Sequence, residues 1–150
     1  MAILVSDGVD GAAALGIQKA LALAGAVPRL IAPRLGKVST ADDSVLHAEA
    51  SLEAMPSVLF DALVVPDGSG AEVLAAMGQA HEYLRDQYRH CKPILVLGKD
   101  AMLLEAAGIP VMLPGGEPDP GVLVGGTPEA FVSAIAAHRF FQRESDPPRV

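Results

Sequence analysis

The chain has 150 residues, 51% of them hydrophobic and 19% charged, with a formal net charge of −7. That length and composition suit one globular domain with its own core and exclude a disordered chain. The negative charge excludes an electrostatic grip on nucleic acid and gives no attraction to anionic membranes.

No apolar run has the length of a membrane span. The opening Met-Ala-Ile-Leu-Val meets Ser6, Asp7 and Gly8, without the basic start or long apolar core of a signal peptide. One cysteine, Cys91, permits no internal disulfide and fits a reducing compartment, so a cytoplasmic location is expected.

Residues 2–6 form a short apolar run, a buried strand, and residues 7–11 are a turn. A helix follows, with Ile17, Ala20, Leu21 and Ala24 on one face at helical spacing and Gly25 as its stop. Residues 27–32 read as a second strand, and Pro28 suggests an edge position. Between 33 and 56 the pattern weakens. Residues 36–39 suggest a turn into a short strand, and Asp42, Asp43, Glu49 and Glu53 make an exposed acidic stretch with a small hairpin.

Residues 60–65 are a third strand, ended by Pro66-Asp-Gly-Ser-Gly70. Residues 72–77 and 79–90 read as helices separated at Gly78. Residues 94–97 are continuous and apolar, as a central strand would be. Asp100 caps the next helix and Gly108 stops it. Residues 109–113 and 121–124 are read as two further strands. The last helix has Thr127 as cap, Pro128 at its first position and Glu129 in its first turn, with Phe131, Val132 and Ile135 facing inward. Residues 1–144 make one domain, and 145–150, with two prolines, a flexible tail.

Strand and helix alternate, so the expected fold is α/β: a three-layer, doubly wound, mostly parallel, flavodoxin-like sheet. Sites in such sheets lie beyond the C-terminal strand ends, which directs attention to the loops at 6–11, 66–70 and 98–100. The first opens a helix, where an anion could bind, but Asp7 and Asp10 would repel a flavin phosphate. They read better as caps. Residues 66–70 could offer backbone N–H groups as an oxyanion hole.

The strand-turn-helix at 94–104 has the form of a nucleophile elbow, a position that needs Ser or Cys with a base in reach. It holds Gly98, without a side chain, and Lys99, whose neighbour Asp100 favours the charged ammonium. Cys91 lies at the opposite sheet edge and reads as structural. His47, His81, His90 and His138 lack metal-ligand spacing and read as surface residues. Arg34, His90, Lys92 and Arg139 read as scattered cations forming no patch, and Tyr83 and Tyr88 as packing residues. No catalytic residue, metal or cofactor is expected.

The segments Ala2-Ile-Leu-Val-Ser-Asp-Gly-Val-Asp-Gly11, Ala24-Gly-Ala-Val-Pro28, Ala32-Pro-Arg-Leu-Gly36, Pro56 to Pro66, Tyr88-Arg-His-Cys-Lys-Pro93, Leu103 to Ile109 and Phe131 to Glu144 together resemble the C-terminal domain of large-subunit haem catalases. That domain is related to ThiJ/PfpI proteins and class I glutamine amidotransferases. The resemblance places Gly98 where active members carry the nucleophilic Cys. Lys99 stands where they often carry His, and Asp10 at or near their supporting Glu. It implies an accessory domain, one per subunit of a homotetramer, that stabilises or assembles the enzyme and has a chaperone-like capacity. Its partners would be the catalase core, other copies, or unfolding clients, with Val45, Leu46, Leu52 and Met55 as candidate contacts. Two alternatives are a degenerate hydrolase or glyoxalase-like enzyme using Lys99 or Asp10, and a small-ligand sensor in a remnant pocket near Gly8, Gly68 and Gly98.

Overall fold

A six-stranded, wholly parallel sheet forms the middle layer of the computed structural model, which describes residues 1–145. Its strands, in chain order, are β1 (Ala2–Leu4), β2 (Arg29–Ala32), β5 (Ala50–Ser51), β6 (Leu63–Val65), β7 (Ile94–Val96) and β8 (Val122–Val124). A separate antiparallel hairpin is made by β3 (Gly36–Ser39) and β4 (Val45–Ala48). The sheet order is β5-β2-β1-β6-β7-β8, reversing direction at β1, and this is the doubly wound arrangement expected. Strands with apolar residues on both faces require cover on both sides. Helices α1 (Gly11–Leu23) and α5 (Pro128–Ala137) lie on one face. On the other lie α2 (Gly70–Ala75), α3 (Gly78–Arg89) and α4 (Met102–Ala107).

Two cores result. Ile3, Val5, Val64 and Leu95 pack with Ile17, Leu21 and Phe131 beneath α1 and α5. Leu4, Leu63, Ile94 and Val96 pack with Leu74, Leu84 and Leu104 on the other side. The helix ends follow local chemistry. Asp10 Oδ1 accepts from Ala13 N at the start of α1, and Thr127 Oγ1 from Ala130 N at the start of α5. Gly108 ends α4 in the left-handed region, at φ 71°.

The structure corrects several expectations. Residues 109–113 are not a strand. Pro110 interrupts the run, Val111 and Met112 are exposed, and only an isolated bridge joins Met112 to Pro118. The second strand is not at the edge, because Pro28 falls before its ladder and β5 covers its outer side. Ala24 is the exposed C-cap of α1 rather than an inward residue. Of the candidate contact residues, Leu46 and Leu52 are buried and Met55 is half-buried, leaving only Val45 exposed. His81 is half-buried, with Nε2 2.7 Å from Ala75 O, whereas His47, His90 and His138 are exposed. The tail expected over 145–150 lies, from 146 on, outside the described residues.

Beneath the N-terminal strand ends, the last turn (Phe141–Ser145) folds back on the sheet. Arg143 and Asp119 are buried there as a two-pronged ion pair, Nε–Oδ2 2.6 Å and Nη2–Oδ1 3.1 Å. Arg143 Nη1 donates to Lys92 O at 2.9 Å, and the guanidinium carbon stands 4.6 Å from the centre of the Tyr88 ring. A Cβ on Gly121 would collide with the Phe140 ring and the Arg143 guanidinium, so only glycine permits this closure. Cys91 is buried in the same region and in the left-handed region at φ 55°. Burial pushes its thiol up, and the Glu144 carboxylate adds to the shift.

Candidate functional site

The three loops singled out from sequence meet at the C-terminal end of the sheet. The first two are joined backbone to backbone. Asp10 N donates to Asp67 O at 2.8 Å, and Val9 bridges Gly68. Ser6 Oγ donates to Gly70 O at 2.6 Å. A side chain on Gly68 would lie 2.6 Å from both Asp10 N and Gly8 O, so the close approach requires glycine.

This suture consumes several of the donors an oxyanion hole or phosphate cradle would need. Gly8 N donates to Ser39 O, Val9 N to Ser6 O, and Asp10 N to Asp67 O. Gly68 N donates to Asp67 Oδ1, Ala71 N to Gly68 O, and Glu72 N to Ser69 O. Asp7 accepts from Ser39 N, fastening the β3–β4 hairpin over the first loop instead of capping α1.

Asp10 and Gly98 do reach the same sheet edge, but Asp67 stands between them. Asp10 spends its carboxylate on the α1 cap. Gly98 is buried, and a Cβ built on it would lie 2.8 Å from Asp67 Oδ1 and 3.0 Å from its carboxyl carbon. The Asp67 carboxylate therefore occupies the space into which a side chain at Gly98 would project. The strained turn of an elbow is also missing: none of Gly98, Lys99 and Asp100 has a positive φ. Lys99 is exposed, and Asp100 Oδ1 accepts from Met102 N.

A cavity of about 160 Å³ remains between β6, β7, α2 and α4. Val65, Val96, Ala71 and Leu103 form its apolar floor, and Asp67, Glu72 and Asp100 its acidic rim. It is smaller than the few hundred Å³ typical of an organic ligand site. Among the described residues, no three His, Cys, Asp or Glu side chains are grouped to hold a metal ion. Asp67 was missed as the decisive residue because its effect on Gly98 acts across 31 positions of sequence, and no local pattern carries it.

At the opposite end of the sheet the expectation of scattered cations fails. Arg89, His90, Lys92, His138 and Arg139 line one open groove of about 490 Å³ with Val58, Phe141 and Glu144. Lys92 is buried, its amine donating to Val58 O at 3.1 Å and Phe60 O at 2.7 Å. Burial lowers its pKa, and the Arg139 charge adds to the effect. Arg34 stays apart at the other end.

A family model described as the C-terminal domain found in long catalases matches residues 1–145. The chain is 38% identical over 149 residues to catalase HPII of Pseudomonas putida, covering 97% of this chain and 20% of that protein. To catalase HPII of Pseudomonas aeruginosa it is 35% identical over 150 residues, with the same coverages of 97% and 20%. It thus spans about a fifth of the length of these relatives. Among solved structures it resembles a DJ-1 superfamily protein of Salmonella typhimurium, with TM-score 0.75, 21% identity, and coverage of 91% of this chain and 87% of that one. It also resembles DJ-1beta of Drosophila melanogaster, with TM-score 0.75, 17% identity, and coverage of 93% and 89%. At these identities the two structures establish the shared fold. No helix among the described residues is long and apolar enough to cross a membrane.

Proposed function

Because the chain belongs to the family of C-terminal domains found in long catalases, we propose that it is a non-catalytic accessory domain of such an enzyme. It stabilises and assembles a cytoplasmic haem-bearing oligomer through contact with the catalase core. The observation that carries the non-catalytic part is the Asp67 carboxylate overhanging Gly98, beside loops several of whose backbone donors are already spent. A nucleophile needs a reactive atom, a base and a polarising contact. This edge offers carboxylates around a small apolar hollow and none of those three together.

Two measurements test the reading. Turnover of methylglyoxal and of short peptides should stay at the uncatalysed rate for the chain and for Lys99→Ala and Asp10→Ala alike. A rate above background that either substitution removes would restore the degenerate-enzyme alternative. For the accessory role, this chain would replace the C-terminal domain of Pseudomonas putida catalase HPII. The chimera should keep its oligomer and resist heat better than the same enzyme cut before the domain. Equal inactivation midpoints would refute stabilisation.

A further inference from the structure

All six strands run the same way, so one end of the sheet collects every strand N-terminus: residue 1, the turn before β2, the segment before β6 and the groove before β7. That end carries most of the apolar surface left uncovered. Among the described residues, six large hydrophobic side chains are more than half exposed, and five of them are there: Leu23 (80%), Val27 (65%), Phe141 (64%), Leu59 (61%) and Val58 (58%). Isolated exposed apolar residues are ordinary, but their collection at one end of a small domain marks a contact surface.

Charge is unevenly spread along the same axis, although Lys99 and Arg34 lie at the acidic end and Asp61 and Asp86 near the groove. The opposite end presents Asp7, Asp10, Asp67, Glu72 and Asp100 around its loops. The groove presents Arg89, His90, His138 and Arg139 against Glu144. Among the described residues its two arginines hold only long ion pairs, 3.8 Å each, to Asp86 and Asp61. A chain of net charge −7 thus keeps a cationic, apolar-walled groove where one sheet end gathers its exposed side chains.

We infer that this end of the sheet, centred on the groove between Val58 and Phe141, docks the polypeptide that precedes residue 1 in a long catalase, through an apolar segment bearing carboxylates. The inference rests on the reading of this chain as a catalase domain. In that family the domain is C-terminal, so about four-fifths of the enzyme's length lies outside this structure. The preceding chain must arrive at Met1, whose backbone already joins this end through its amine to Val27 O at 2.7 Å and its carbonyl to Arg29 N at 2.8 Å. A segment arriving there meets exposed Val27 and Leu23 first and the cationic groove beside them. Seating it would cover the apolar residues and give the arginines shorter partners.

The test uses the haem-loaded chimera of Pseudomonas putida catalase HPII carrying this chain in place of its own C-terminal domain, beside the isolated chain. Amide exchange at 58–61 and 138–141 should be about tenfold slower in the chimera, with 66–70 and 98–100 unchanged. Val58→Asp with Phe141→Asp, both on exposed side chains, should release the domain to protease about tenfold faster, whereas Val73→Asp at the other end should not. Protection confined to the outer faces of α1 and α5, or to the loops at 66–70 and 98–100, would overturn the docking surface and leave the catalase reading standing. An isolated chain that dimerises, and becomes monomeric with Phe141→Asp, would assign the groove to a second copy and overturn the inference. A chimera that neither assembles nor loads haem, while its parent does both, would overturn the inference and the catalase reading together.

Discussion

Asp119→Ala removes one half of the buried pair beneath the sheet. The Asp119 side chain is 0% exposed and that of Arg143 2%. Without the carboxylate, the guanidinium keeps Lys92 O and the Tyr88 ring but loses its counter-charge, and Gly121 N loses its acceptor. Breaking a buried pair from one side costs about 3–5 kcal/mol. The cost has a ceiling, because the turn 139–145 could swing out and carry Arg143 into water. That escape forfeits the burial of Phe140, about 1.5–3 kcal/mol, and the stacking on Tyr88, about 2 kcal/mol when desolvated. Both routes fall within a loss of about 3–5 kcal/mol, a large share of the roughly 5–15 kcal/mol available to a domain. Urea unfolding of the isolated chain followed by circular dichroism at pH 7 reads it directly. Thermal unfolding should fall by about 6–20 °C for a chain of this size. The amide of Phe140, bonded to Cys91 O at 2.8 Å, separates the two routes, since only detachment of the turn exposes it to exchange. Pairing Asp119→Leu with Arg143→Met should recover most of the loss, because two apolar groups leave no orphaned charge. A loss below about 1 kcal/mol for Asp119→Ala would refute the assignment of this pair as the closure of the fold.

Gly98→Ala should displace the Asp67 carboxylate and break its bond to Gly68 N, costing about 1 kcal/mol, and Asp67→Ala in the same chain should abolish the clash. An undiminished cost in the double variant, measured by urea unfolding, would show that Asp67 is not the obstacle. Thr127→Ala removes the α5 cap and should cost about 1 kcal/mol, whereas Thr127→Ser should cost far less. Burial pushes the Tyr83 hydroxyl well above its ordinary 10.0. Its stabilising contribution is therefore complete below pH 10 and lost as pH rises toward the folded value, because only the unfolded chain gives up the proton there. The urea midpoint should fall above about pH 10, and less steeply in Tyr83→Phe. Parallel pH profiles for the two proteins would contradict that account.

The alternation of strand and helix was legible because several boundaries have local chemistry: the caps at Asp10 and Thr127, the stop at Gly108, and apolar runs such as 94–97 that suit a covered parallel strand. Residues 109–113 carry a similar apolar signal, but a strand also needs a neighbour, and Pro110 with the turn at 113–116 leaves them none. The edge assignment of the second strand failed for a related reason, since Pro28 marks where a ladder begins as readily as an open side. At the candidate site the sequence shows that Gly98 has no side chain to offer. The carboxylate filling its place could not be read there, because Asp67 reaches it through space. Asp119 and Arg143 were equally hidden, each an ordinary charge until the chain brings them together.

That pairing also fixes an order of events during synthesis. Asp119 emerges 24 residues before Arg143, about 1–5 s earlier at ordinary translation rates. Until the later residue arrives, β8 cannot be closed from below without leaving a carboxylate stranded in the interior. The nascent domain thus stays open at that end until Arg143 has been made. Closure of the sheet from below then reports that the turn carrying Arg143 has left the ribosome.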